Sequence, residues 1–147
     1  MTPYFLPNRE LISSLQSAAL RGVSVNIILP EKSNLPIVHW SNRNVLEELL
    51  SAGASVYYQP APFCHSKLLC VDDSYSLVGS ANLDPRSLRL NFELGVEVFS
   101  PALNKQLLDH CRATIETSEP LLLADLVGRG VYARLRDSVA ALFTPYL

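Results

Sequence analysis

The sequence predicts an α/β domain, and three observations carry that prediction. A capped amphipathic segment from Arg9 to Arg21 leads into an apolar stretch, Val23 to Leu29 (VSVNIIL), which reads as a buried strand. A second helical pattern, Pro36 to Ser51, is again followed by a strand pattern, Ala54 to Gln59. Two short apolar runs, Lys67 to Val71 and Tyr75 to Val78, then flank an Asp72-Asp73 turn in the manner of a hairpin.

Taken in order, Met1 to Leu6 is a short apolar segment expected to be a strand. Asn8 is placed to cap the first helix, whose inward face is Leu11, Ile12, Leu15, Ala18 and Ala19, and Gly22 stops it. Pro30 to Leu35 is a polar loop. The second helix turns Val38, Val45, Leu46 and Leu49 inward and ends at Gly53. Near its start, His39 is expected at the surface and Trp40 in the core; the sharper alternatives are, for His39, a contact to substrate or to a missing lobe and, for Trp40, a membrane anchor. Leu83 to Ser87 is a loop or helical turn with Asp84 as its cap, and Phe92 to Phe99 is the last strand, with Glu93, Gly95 and Glu97 on one face. Ser100 and Pro101 open a helix to about Thr117 with Leu103, Leu107, Cys111 and Ile115 inward. His110 lies beside that apolar stripe and is expected to be structural. A further amphipathic helix, Val131 to Phe143, carries Leu135, Val139 and Leu142 on one side, and packing on the domain is its default role over covering a partner or lying on a bilayer.

Composition bounds the function. At 147 residues the chain suits a single domain that buries roughly two-thirds of its unfolded surface. A net charge of −2 argues against a broad grip on nucleic acid, which calls for clustered Lys and Arg over a face. Arg86 and Arg89 with Lys67 still make a local basic patch that fits one phosphate. Three cysteines without CxxC or metal-ligand spacing read as free thiols in a reducing compartment, with Cys64 a packing residue. No stretch reaches the roughly 20 apolar residues that span a bilayer, so membrane contact is expected to be peripheral.

The chemistry concentrates in FCHSKLLCVDDSYSLVGSANLDPRSLRLNFE, from Phe63 to Glu93. His65, Lys67 and Asp72 stand as HxKxxxxD, followed by Gly79-Ser80-Ala81-Asn82 and then Glu93. Strand side chains alternate, so His65 and Lys67 share a face, and Ser80 and Asn82 share the same two-residue offset. A neutral imidazole beside cationic, amide and hydroxyl donors suits attack on a phosphorus centre through a phosphohistidine. The ring also needs an acceptor that fixes its tautomer, either Glu93 or Asp72. Strand parity puts Asp72 on the opposite face, which favours Glu93 as orienter and leaves Asp72 to fix the turn. HxKxxxxD alone arises by chance in on the order of one chain in a hundred, but GSAN at a fixed distance lowers that by a further factor of thousands.

These residues resemble the HKD motif of the phospholipase D superfamily. TPYFLP, HSKLLCVDD and VGSANLDPRSLRLNFELGVEV further resemble the C-terminal half of bacterial cardiolipin synthases. The resemblance covers nearly the whole chain and weakens after about Ile115. It implies a phospholipase D-like lobe, residues 1–147 as one domain, with a mixed β-sheet flanked by helices. It implies catalytic roles for His65, Lys67, Asp72, Asn82 and Glu93, substrate contacts from Ser80 and Arg86, and no metal or cofactor. Superfamily sites use two HKD motifs, and neither His39 nor His110 begins a second one. The resemblance therefore implies a second HKD lobe, upstream or in a homodimer mate, and an upstream lobe absent here. Phosphatidylglycerol as substrate, and a peripheral place on the cytoplasmic side of the bacterial cytoplasmic membrane, follow from the same likeness.

Three functions are open at this level. The first is a phosphatidyltransferase lobe that joins two phosphatidylglycerols with release of glycerol, with His65 as nucleophile or as the acid that protonates the leaving alkoxide. The second is a phosphodiesterase or nuclease acting as a homodimer, which the acidic net charge lowers. The third is an inactive half-site that binds or assembles.

Overall fold

The computed structural model describes residues 1–144 and 147. In chain order its elements are α1 (Arg9–Leu20), β1 (Asn26–Pro30), α2 (Pro36–Ser41), α3 (Arg43–Ser51), β2 (Ser55–Gln59), β3 (Leu68–Val71) and β4 (Tyr75–Gly79). Then follow α4 (Pro85–Arg89), β5 (Gly95–Phe99), α5 (Pro101–Glu116), β6 (Glu119–Pro120), α6 (Leu123–Val127) and α7 (Val131–Ala141).

The first helix forms as its signals dictate. Asn8 accepts the Leu11 N–H at 3.0 Å, and the chain leaves through Gly22 at a φ of 88°, a left-handed conformation free to a residue without Cβ. The single helix expected over 36–51 is two. Ser41 at the junction bonds its hydroxyl back to the Ile37 carbonyl at 2.7 Å and to the Ala140 carbonyl of α7 at 2.9 Å, so the break is tied to a partner 99 residues away. Beyond α5, β6 and α6 were not anticipated, and the strand expected from Phe92 begins only at Gly95.

Two three-stranded sheets result. One has the order β1-β2-β6, with β1 and β2 parallel and β6 antiparallel, and the other is the antiparallel meander β3-β4-β5. The opening segment, expected to be a strand, is instead a seam between the sheets. Thr2 N–H donates to Ile28 O at 3.2 Å and Leu68 N–H to Met1 O at 3.0 Å, while Phe5 makes an isolated bridge to Leu83. Pro3 and Pro7 lack the N–H groups that a continuous ladder needs.

The hydrophobic core belongs to the first sheet. Phe5, Ile12, Ile27, Leu29, Leu46, Leu49, Val56 and Leu126 close over one another between that sheet and α1, α3 and α6. The second sheet is covered on one face by α5, where fully buried Ser76 donates to Asn104 Oδ1 at 2.6 Å.

The C-terminal helix corrects the sequence reading most sharply. Leu135, Val139 and Leu142 do not pack on the domain; they are exposed, and α7 instead buries Asp137 and Ala140. The reason is electrostatic. Asp137 gathers Arg129, Arg136 at 2.7 Å and Arg43 at 3.9 Å, and a carboxylate held by three guanidiniums outweighs an apolar stripe that nothing among the described residues covers. His39, expected at the surface, is half-buried against Tyr58, with ring centroids 5.4 Å apart, and burial followed by the charge of Arg43 lowers its pKa. Trp40 is half-buried with the Arg136 guanidinium 4.6 Å above its ring. No helix among the described residues is long and apolar enough to cross a membrane.

Candidate active site

The site lies where β3 begins and β4 ends. Gly79 N–H donates to Lys67 O at 3.3 Å, which brings the two halves of the motif together across the hairpin. Gly79 is required for a spatial reason: a Cβ there would stand 2.5 Å from the Leu94 carbonyl oxygen, a distance no side chain tolerates. Its absence lets β5 close in, and Ser80 N–H donates to that same oxygen at 2.9 Å.

His65 and Lys67 meet, although the strand expected from Lys67 begins only at Leu68 and both residues lie before it. Lys67 Nζ stands 2.7 Å from His65 Nδ1 and donates to the His65 carbonyl at 2.9 Å. An ammonium only donates, so the ring nitrogen facing it carries the lone pair. Burial lowers the Lys67 pKa, opposed by the charges of Glu93 and then Asp84.

The other predicted residues form two groups around this pair. Glu93, expected to orient the His65 ring, instead accepts the Ser80 hydroxyl and an Asn91 side-chain N–H at 3.4 Å. The Ser80 bond is the main reason its carboxyl is held below the ordinary range. Ser80 Oγ also accepts Leu94 N–H at 3.0 Å, so its hydroxyl proton is engaged toward Glu93 rather than presented to the pocket. Asn82 Nδ2 donates to Ser87 Oγ at 3.3 Å, and Ser87 is in turn held by Asp84, the cap of α4. Asp72 sits at the hairpin turn with a φ of 50°, its carbonyl accepting Asn104 Nδ2 at 2.9 Å. Arg86 and Arg89 are exposed on α4.

A cavity of about 330 Å³ opens beside the pair, lined by His65, Ser66, Lys67, Gly79, Leu107 and His110 among others. Two contributors escaped the sequence reading. His110, assigned a structural role, lines this cavity from α5, and Tyr4 stands edge-on to the His65 ring with centroids 6.1 Å apart, while the Phe63 ring lies 5.8 Å from it. Neither lies within the motif; only the docking of α5 and the opening segment against the hairpin brings them in. Among the described residues no group of three or more His, Cys, Asp or Glu side chains is arranged to hold a metal.

A mixed α/β lobe with a His–Lys pair over a cavity at the mouth of a hairpin is the architecture of a phospholipase D-like domain. The family model for "Cardiolipin synthase, PLD-like domain" matches residues 1–115, and the chain belongs to that family. It is 36% identical over 146 residues to the major cardiolipin synthase ClsA of Bacillus subtilis and 34% identical to a cardiolipin synthase of Staphylococcus aureus, in each case over 99% of this chain. It spans about 30% of the length of these curated relatives. The fold matches Nuc of Salmonella typhimurium, a phospholipase D family member, with a TM-score of 0.72 at 22% identity over 83% of this chain and 80% of that one. It also matches phosphatidylserine synthase of Haemophilus influenzae with a TM-score of 0.71 at 19% identity, over 99% of this chain and 40% of that one.

Proposed function

We propose that this chain is a phosphatidyltransferase lobe of a cardiolipin synthase. The observation that carries the reading is the Lys67 ammonium 2.7 Å from the His65 imidazole at the wall of the cavity, within a chain of this family. With the Lys67 ammonium moved from the ring to the nonbridging oxygens, His65 uses the freed lone pair to attack the phosphorus of phosphatidylglycerol, the P–O bond to glycerol breaks, and glycerol leaves with a proton from an acid on a second HKD lobe. The hydroxyl of another phosphatidylglycerol then attacks the phosphorus, passes its proton to that second-lobe group and breaks the P–N bond to His65, which yields cardiolipin and restores the imidazole. Lys67 and Asn82 stabilise charge on the nonbridging oxygens, each well-placed donor contributing about 3 kcal/mol.

Ser80 and Glu93 act together in this reading: the hydroxyl anchors the carboxylate beside the motif, where its charge supports the Lys67 ammonium. Asp72 holds the hairpin turn, and Arg86 offers its guanidinium to the head group from α4. The second lobe comes from elsewhere in the same polypeptide or from a homodimer mate, and the assembly works at the cytoplasmic face of the bacterial membrane.

Turnover of phosphatidylglycerol in mixed micelles tests the proposal, with cardiolipin, phosphatidic acid and glycerol quantified together and His65→Asn as control. Cardiolipin with equimolar glycerol, lost in the variant, is the expected result. Phosphatidic acid without cardiolipin would make the activity hydrolytic, and turnover retained in His65→Asn would sink the mechanism.

A further inference from the structure

We propose that Asp84 and Ser87 form a relay that sets the orientation of the Asn82 amide, so that an N–H and not the carbonyl faces the phosphoryl oxygens. The proposal rests on the reading of the His65 cavity as a phosphoryl-transfer site.

The relay is built from buried groups: Asp84 is 6% exposed and Ser87 5%. Asp84 Oδ1 accepts the Ser87 backbone N–H at 2.7 Å, the cap of α4, while Oδ2 lies 3.2 Å from Ser87 Oγ. A carboxylate only accepts, and the Ser87 hydroxyl has two within hydrogen-bonding reach, Asp84 and Glu93, so its proton points at an acidic group and away from Asn82. Ser87 Oγ then has only lone pairs left to offer. The Asn82 group facing it at 3.3 Å must therefore be the amino nitrogen, and the second N–H of that nitrogen remains free for a substrate oxygen.

Without this constraint the two ends of an Asn amide are nearly equivalent in shape, and the side chain can turn over. A carbonyl aimed at a phosphoryl oxygen would repel it. Asn82 Oδ1 is itself buried with no partner among the described residues, so nothing on that side fixes the amide. The acceptor-only carboxylates of Asp84 and Glu93, acting through one hydroxyl, are what distinguish the two orientations, and Asp84 is the one that also holds the Ser87 backbone. Ser87 and Asp84 are thus positioning residues, acting through Asn82.

The decisive variant is Asp84→Asn in the intact enzyme. It keeps an oxygen to cap Ser87 N–H but puts an amino group against Ser87 Oγ, which occupies a lone pair that faces Asn82 and loosens the hold on its amide. The expected kcat loss on phosphatidylglycerol is about 30-fold, with the melting temperature held within about 2 °C because the cap survives. Ser87→Ala removes the link and costs about 5-fold, and Ser87→Thr restores it. The double variant Asp84→Asn/Ser87→Ala is expected to be no worse than Ser87→Ala, since no hydroxyl remains to transmit the change.

Side-chain amide NMR gives a readout that does not need turnover. The Asn82 Nδ2 proton pair is expected to shift on adding inorganic phosphate to the wild-type protein and to stay put in Asp84→Asn. A phosphate response with no turnover of lipid would keep the relay and remove the transferase reading. Wild-type kcat in Asp84→Asn, additive losses in the double variant, or an Asn82 pair indifferent to phosphate in the wild type would each overturn the relay.

Discussion

The two sheets have been put to opposite uses. In β1-β2-β6 the central residues Ile27, Leu29 and Val56 are buried with Leu46 and Leu49 beneath them, and none of the residues assigned to chemistry lies on these strands. In β3-β4-β5 the only residue that is fully buried is polar Ser76, while Leu69 and Val71 on the face away from α5 are 49% and 43% exposed, and Phe99 on the same face is bare as well. Every predicted catalytic group borders this second sheet. The difference teaches that stability is concentrated where no substrate goes, which frees a poorly covered hairpin to hold a lysine, an imidazole and a carboxylate at its mouth. Burying those groups under a core of their own would cost several kcal/mol in desolvation.

That contrast can be broken at either end. The largest expected effect is on chemistry alone: His65→Asn lowers phosphatidylglycerol turnover by at least about a thousandfold while the melting temperature stays put, which calorimetry beside the micelle assay checks. Next comes the ionic hub of α7. Asp137→Ala leaves Arg43, Arg129 and Arg136 facing one another, and urea unfolding is expected to show a loss of about 4 kcal/mol. Leu46→Ala, in the first sheet's core, is expected to cost about 3 kcal/mol by the same measurement, with kcat per folded molecule unchanged.

A pH titration sharpens the comparison further. The lowered His39 pKa means that the native state binds a proton less readily than the unfolded chain, whose ordinary value is 6.5. Its contribution to stability is therefore complete above that value, declines as pH drops below it, and is gone once pH has fallen through the native pKa. Melting temperatures over pH 7 to 5 are expected to fall less steeply in His39→Gln. The smallest effect is expected on the open sheet: Leu69→Ala changes stability by under about 0.5 kcal/mol, because a half-exposed side chain there has little packing to lose. A large loss at Leu69 would mean that the second sheet is covered in solution.

Part of the site was readable because it is local: His65 and Lys67, two apart, meet where the hairpin opens, although both precede β3. The partner of the His65 ring was not, since Glu93 reads as its orienter but takes the Ser80 hydroxyl, while Lys67 Nζ faces the ring. Asp84 as a cap was legible. Its second use, through Ser87 to Asn82, was not, since a capping signature says nothing about where the spare oxygen of the cap points. Tyr4 and His110 were invisible for a different reason: one packs on the His65 ring and the other lines the cavity, each from more than 40 residues away in sequence.

What the sequence determined by itself, then, is the set of features whose partners lie within a few residues: the caps at Asn8, Asp84 and Ser100, the glycine exits, the hairpin, and the pairing of His65 with Lys67. The tertiary structure decided which competing face each helix buries and what walls the cavity. Periodicity offers Leu135, Val139 and Leu142 as a buried stripe, but burial depends on what is available opposite. The arginines that draw Asp137 inward come from α3, from the loop before α7 and from α7 itself, while nothing among the described residues stands ready to cover the leucines. An apolar pattern states a preference for leaving water; only the assembled chain supplies the surface that can satisfy it.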